Sequence, residues 1–234
     1  MKKCACIWMV AVLSCISVIA KPTKSSIGAR NGVGGSGKAL PYDAEVEYLE
    51  STGTQYIDTE VPMDSSQIID LTFSLVGDTR IKYETFCGAN WNDTASGNLR
   101  FSYIRQKSSE GLMMADGFFK LASNVIPWES GIIYKCHAEN NNSSIELNDG
   151  RRYDLTSGPI SEPNTIYLFA TNNRGTASYS AKARVFSYRV LQSGVLVRDF
   201  IPVRVGTEGA MYDRVSGQLF RNQGTGAFLI GPDR

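Results

Sequence analysis

Histidine is nearly missing from this sequence: His137 is the single imidazole in 234 residues. That excludes multi-histidine metal sites and leaves one imidazole for any acid–base chemistry. Cysteine is sparse beyond residue 20, where only Cys87 and Cys136 occur, and their spacing matches no zinc motif. An excess of either charge is lacking too, with 24 basic against 23 acidic side chains. A chain without a basic surplus is a poor general binder of nucleic acid or of anionic membranes. Beyond the N-terminal stretch no apolar run approaches 18 residues, so no further spanning helix is expected. No window carries the period of a long amphipathic helix, and no repeat of solenoid or propeller length occurs. What is abundant is glycine, at 22 residues, together with 10% aromatics, the profile of short strands and tight turns.

The first twenty residues read as an export signal. Lys2 and Lys3 precede the apolar run from Cys4 to Leu13, and Val18-Ile19-Ala20 ends it at a cleavage-type site. The whole apolar stretch from Cys4 to Ala20, about 17 residues, is short for a membrane span and is interrupted by Ser14 and Ser17. Val12-Leu13-Ser14-Cys15 also has the look of a degenerate lipobox, which keeps a lipoprotein anchored at Cys15 as a minor alternative. Cleavage after Ala20 removes two lysines and leaves 22 basic against 23 acidic residues. The expected location is therefore secreted, periplasmic or at the cell surface, with no membrane span in the mature chain.

Residues 21–40 are expected to be a Gly/Ser-rich linker, because they lack the apolar surface to offset the entropy of ordering. Gly32-Val33-Gly34-Gly35-Ser36-Gly37-Lys38 imitates half of a phosphate-binding loop. Ala39 stands where a Ser or Thr would hold Mg²⁺, and Leu40-Pro41 prevents the helix that such a loop requires. Nucleotide binding is not expected.

Residues 41–234 read as one β-rich domain. Leu71, Phe73 and Leu75 alternate with Asp70, Thr72 and Ser74, as in a half-buried strand. Leu99 to Tyr103 repeats the alternation. Asn148-Asp149-Gly150 between two short alternating runs predicts a hairpin. Ile166 to Ala170 predicts a buried strand. Ala183–Leu191 and Val195–Val203 predict a second hairpin through Gln192-Ser193-Gly194, and Phe228-Leu229-Ile230 a closing strand. The expected fold class is all-β: a two-sheet antiparallel β-sandwich or a barrel.

Two segments narrow this. Glu45-Val46-Glu47-Tyr48-Leu49-Glu50-Ser51-Thr52-Gly53-Thr54-Gln55-Tyr56-Ile57-Asp58-Thr59 resembles the opening signature of bacterial laminin-G-like domains. These belong to the concanavalin A-like lectin/glucanase superfamily. The closing segment is similar to the same family, through Val185-Phe186-Ser187-Tyr188-Arg189-Val190, Val195 to Val203, Gly209-Ala210-Met211-Tyr212-Asp213 and Gly224-Thr225-Gly226-Ala227-Phe228. The resemblance covers about Pro41 to Gly231 and implies a concanavalin A-like jelly roll, exported, most members of which have no established activity. Within it the signature reads as structural, with Tyr48 and Tyr56 burying rings, Gly53 in a φ > 0 turn and Gln55 satisfying backbone groups.

The expected function is a secreted or cell-surface, non-catalytic binding module for a glycan or a surface protein. The alternatives are a structural or adhesin subunit without a small ligand, and a divergent glycoside hydrolase on the same fold. Glu45, Glu47 and Glu50 are the only support for hydrolysis. They imitate the paired carboxylates of retaining glycosidases but lie at the start of the domain, where a polar edge strand is expected. His137 and Cys136 alternate along a strand and cannot work as a pair. A ligand site is expected on a loop at Asn90, Trp91, Asn92 and Asp93, where an indole flanked by amides suits a sugar. Trp128 is expected in the core. No cofactor is required. Calcium at a loop rim is the one metal the resemblance allows, with Asp78, Asn90, Asn92, Asp93, Asn172 and Asn173 as candidates. Cys87 and Cys136 stand either as a disulfide closing a loop of about 50 residues, worth roughly 4 kcal/mol, or as free core thiols.

Overall fold

Why the chain folds as strands is plain in Gln67–Leu75. Ile69, Leu71, Phe73 and Leu75 are buried, while Ile68, Asp70 and Thr72 between them are only half-buried. A two-residue period puts alternate side chains on opposite faces, so one face is apolar and must meet another layer. A computed structural model of the protein describes residues 39–77, 84–90, 102–105, 112–115, 129–139, 142–155 and 162–234. Ala39–Arg234 form one unit. The residues read as an export signal, and those read as a linker except Ala39 and Leu40, lie outside the described residues.

The strands, in chain order, are β1 (Ala44–Glu45), β2 (Leu49–Thr52), β3 (Ile57–Met63), β4 (Gln67–Leu75), β5 (Glu84–Asn90), β6 (Ser102–Arg105), β7 (Leu112–Ala115), β8 (Ile133–Ala138) and β9 (Ser143–Leu147). They continue as β10 (Arg152–Leu155), β11 (Glu162–Leu168), β12 (Thr171–Asn173), β13 (Thr176–Ser178), β14 (Lys182–Gln192), β15 (Val195–Val205), β16 (Glu208–Asp213), β17 (Gln218–Arg221) and β18 (Leu229–Ile230). The large sheet runs β10-β9-β8-β4-β14-β15-β16-β17, with β2 also against β14, β18 against β2 and β1 against β15. The small sheet runs β13-β12-β5-β11-β3, with β6 against β5 and β7 against β6. Strand pairing is antiparallel except for β12 with β5. The chain is all-β, with two antiparallel-dominated sheets and no helix among the described residues. Accordingly no helix there is long and apolar enough to cross a membrane.

The two sheets share one core. Phe73 of β4 stacks on Phe86 of β5, with ring centroids 4.4 Å apart, and on Tyr134 of β8 at 5.3 Å. Phe169 meets Phe228 at 5.0 Å, and Tyr188 lies 6.0 Å from Phe200. The hairpins expected from sequence are present. β9 and β10 pair around Gly150, whose φ is 90°, and β14 and β15 pair around Ser193 and Gly194, both with positive φ. Two positive φ values in a two-residue loop match the twist of the flanking strands.

Opening and closing segments are knitted together. Leu229 and Ile230 pair with Glu50 and Leu49, and Val46 bridges to Asp233. Gly231 N–H donates to Tyr48 O at 2.9 Å, Gln223 N–H to Tyr56 O at 2.9 Å, and Tyr56 N–H to Asn222 Oδ1 at 3.2 Å. Gln55 is 2% exposed. Its Oε1 accepts from Thr52 N–H at 2.8 Å, and its Nε2 donates to Thr225 O at 3.2 Å. Gly53 has φ of 103°. A Cβ on Gly224 would sit 2.0 Å from Thr54 O, so only glycine allows this backbone approach. Gln55 and Gly53 therefore do what the signature reading expected. Tyr48 and Tyr56 are only half-buried rather than inside the core: Tyr48 meets Phe186 edge to face, and Tyr56 stacks on Tyr167.

The cysteines are not bridged. Cys87 and Cys136 are buried free thiols. Cys87 belongs to β5 of the small sheet and Cys136 to β8 of the large one, so their strands are not hydrogen-bonded neighbours; both side chains lie in the apolar core. Burial raises both thiols above their ordinary range, because a thiolate there would be stripped of water. Neither is expected to react with a maleimide at pH 8 in the folded protein, and both are expected to react fully in denaturant. Peptide mass mapping checks this, and rapid native labelling of either would contradict their burial.

A polar groove on the outer face of the large sheet

The face of the large sheet turned away from the core is built by the residues that alternate with core residues. On β8, Tyr134 and Cys136 are buried while Lys135 and His137 face outward; on β9, Ile145 and Leu147 alternate with Ser144 and Glu146. On β14 the register shifts between Val185 and Ser187, leaving Phe186 as an extra residue opposite β4. Such a bulge re-aims the side chains around it. Ser187 and Arg189 then fall on the outer face, between buried Val185, Tyr188 and Val190.

Register aligns these side chains in two rows across the strands. One row reads Arg189, Asp70, His137, Ser144, Asp154, and the next Ser187, Thr72, Lys135, Glu146, Arg152. All of them except Asp154 line a groove of about 320 Å³. Its best-made contact is between His137 Nδ1 and Asp70 Oδ1, at 2.8 Å. The other ring nitrogen lies 3.7 Å from Glu139 Oε2. Arg189 lies 3.9 Å from Asp70 Oδ2 and 3.8 Å from Asp199 Oδ1. Asp199 is itself held by Arg214 at 2.8 Å. Lys135 stands 3.9 Å from Glu146, and Arg152 donates to Asp154 at 2.9 Å. Opposite charges on facing strands attract weakly where water screens them, so these rows also help hold the sheet's outer face.

The carboxylates expected to sit together on an edge strand are dispersed. Glu45 is on β1 against β15 and accepts from Tyr42 Oη at 3.3 Å, and Glu47 is exposed outside any strand. Glu50 is on β2, which is flanked by β14 and β18 and so is no edge; its carboxylate meets Arg184 Nε at 2.6 Å. The returning C-terminal segment, invisible to local reading, covers that side of β2.

Trp91, Asn92, Asp93, Asp78 and Trp128 lie outside the described residues; Asn90 is described by its backbone alone, at the end of β5 beside Asn173. Asn172 has both ends of its amide committed: Nδ2 donates to Thr165 O at 2.9 Å, and Oδ1 accepts from Gly175 N–H at 2.7 Å. It braces the turn to β13. Among the described residues no group of three or more His, Cys, Asp or Glu side chains is placed to hold a metal ion. From sequence His137 was read only as unable to work with Cys136. Its pairing with Asp70 was missed because the partners are 67 residues apart, and only the β4–β8 register joins them. No protein-family model matches the chain, and a search of the curated proteins finds no match.

Proposed function

We propose that this chain is an exported, non-catalytic binding module on a concanavalin A-like jelly roll, acting at the cell surface or after release, whose ligand is a glycan or a surface protein. The observation that carries the reading is the groove, where hydroxyls, amine, guanidinium, imidazole and carboxylates alternate across five strands. A polyhydroxylated ligand needs donors and acceptors in alternation, on a surface rigid enough to hold them apart. The all-β, two-sheet fold and the export-type N-terminus support the same reading. The dispersed Glu45, Glu47 and Glu50 supply no paired carboxylates for hydrolysis, which favours binding over turnover.

One observation favours the second reading, a structural or adhesin subunit: the groove's acids each have a basic neighbour within 4 Å, the pattern of a surface that only stabilises its own sheet. A glycan array on the purified protein, beside a panel of chromogenic glycosides, separates the two. Glycan binding without turnover, weakened by His137→Ala, is the expected result. Turnover would overturn the non-catalytic reading, and silence on both would favour the structural subunit.

A further inference from the structure

We infer that the groove recognises the carboxylate of an acidic saccharide, a uronic acid residue, with Arg189 as the group that reads it. The inference rests on the groove being a glycan site and names the class of glycan. Among the groove's cations, Arg152 is committed to Asp154 at 2.9 Å and His137 to Asp70 at 2.8 Å. Lys135, 3.9 Å from Glu146, and Arg189 are not so committed, and of the two only Arg189 carries a planar fork of donors. Its nearest partners among the described residues stand 3.8 and 3.9 Å away, beyond hydrogen-bond reach, and its side chain is 47% exposed. Its planar fork of donors is thus held in place by two flanking charges without being consumed by either. Two parallel N–H donors match the two oxygens of a carboxylate, a geometry that lysine cannot reproduce.

The flanking groups choose between anions. Asp70 and Asp199 lie on either side of the guanidinium, so a doubly charged phosphate would meet stronger repulsion than a singly charged carboxylate. Asp70, with Ser187 and Ser144, offers acceptors for hydroxyl groups. A ligand that carries one carboxylate and several hydroxyls on a single ring satisfies both demands.

The test is calorimetric titration of the purified protein with oligogalacturonate and with the neutral galactose oligomer of equal length, with a sulfated neutral oligosaccharide as a third probe. The uronate is expected to bind and the neutral oligomer to bind at least tenfold more weakly. Arg189→Ala is expected to remove at least tenfold of the uronate affinity and Arg189→Lys to restore only part of it. Both variants should melt within a few degrees of the parent, because the side chain is half exposed. Equal binding of the neutral oligomer, stronger binding of the sulfated one, or an unchanged Arg189→Ala would overturn the carboxylate inference and leave the glycan reading standing. No binding of any of the three, with silence on the array, would overturn both.

Discussion

Replacing Phe73 with alanine is expected to destabilise the protein by about 3–5 kcal/mol, the cost of truncating a fully buried aromatic ring. Phe73 has no exposed surface and stacks both on Phe86 of the small sheet and on Tyr134 of its own sheet. The side chain is therefore one of the joints between the two layers. Its removal loses the ring's transfer free energy, and the cavity left behind cannot close, because both neighbouring rings are fixed by their own strands. For a body of this size that corresponds to a fall in melting temperature of roughly 6–20 °C. Phe73→Leu, which keeps apolar volume at the joint, is expected to lose less. Urea unfolding of the three proteins measures this. A loss under about 1 kcal/mol for the alanine variant would show that the sheets are not joined at this ring.

Asp213→Ala is the second large effect, expected at about 3–5 kcal/mol because it leaves buried groups without their anion. Asp213 is completely buried at the end of β16. Its Oδ1 accepts from the N–H groups of Asp199 at 2.9 Å and Val215 at 3.1 Å. Its Oδ2 accepts from Ser216 N–H at 3.2 Å and Ser216 Oγ at 2.7 Å. Arg198 Nη1 lies 3.7 Å away, and Arg198 Nε in turn donates to Thr59 O of the small sheet at 3.0 Å. One carboxylate thus orders the turn from β16 to β17 and neutralises the arginine that ties the two sheets together. Asp213→Asn keeps one acceptor but not the charge and should fall between parent and alanine variant. If Asn and Ala cost the same, the charge rather than the hydrogen bonds would be what matters; if both cost nothing, the network would be dispensable.

Much of the fold was legible because its causes are local. Alternation in Ile69–Leu75 marked β4, and Asn148-Asp149-Gly150 and Ser193-Gly194 marked their hairpins, since turn chemistry and a two-residue period act within a few residues. The role of Gln55 was legible in kind, as a side chain that satisfies backbone groups, although its bond to Thr225 depends on a segment 170 residues later. The extra residue at Phe186 carried no local mark, because a bulge is defined only against its partner strand.

By itself the sequence determined the class of the fold, the alternation that makes one face of each strand apolar, and the turns that join neighbours, all short-range consequences of side-chain shape and backbone sterics. The tertiary structure decided which strands meet. It placed Cys87 and Cys136 on different sheets, took β2 away from the edge by returning the C-terminus onto it, and set Asp70 against His137 and Arg189 against Asp70. The physical reason is register. A strand fixes its two faces locally, but what stands opposite each outward side chain is chosen by pairing among distant segments, where burying one shared core selects a single alignment.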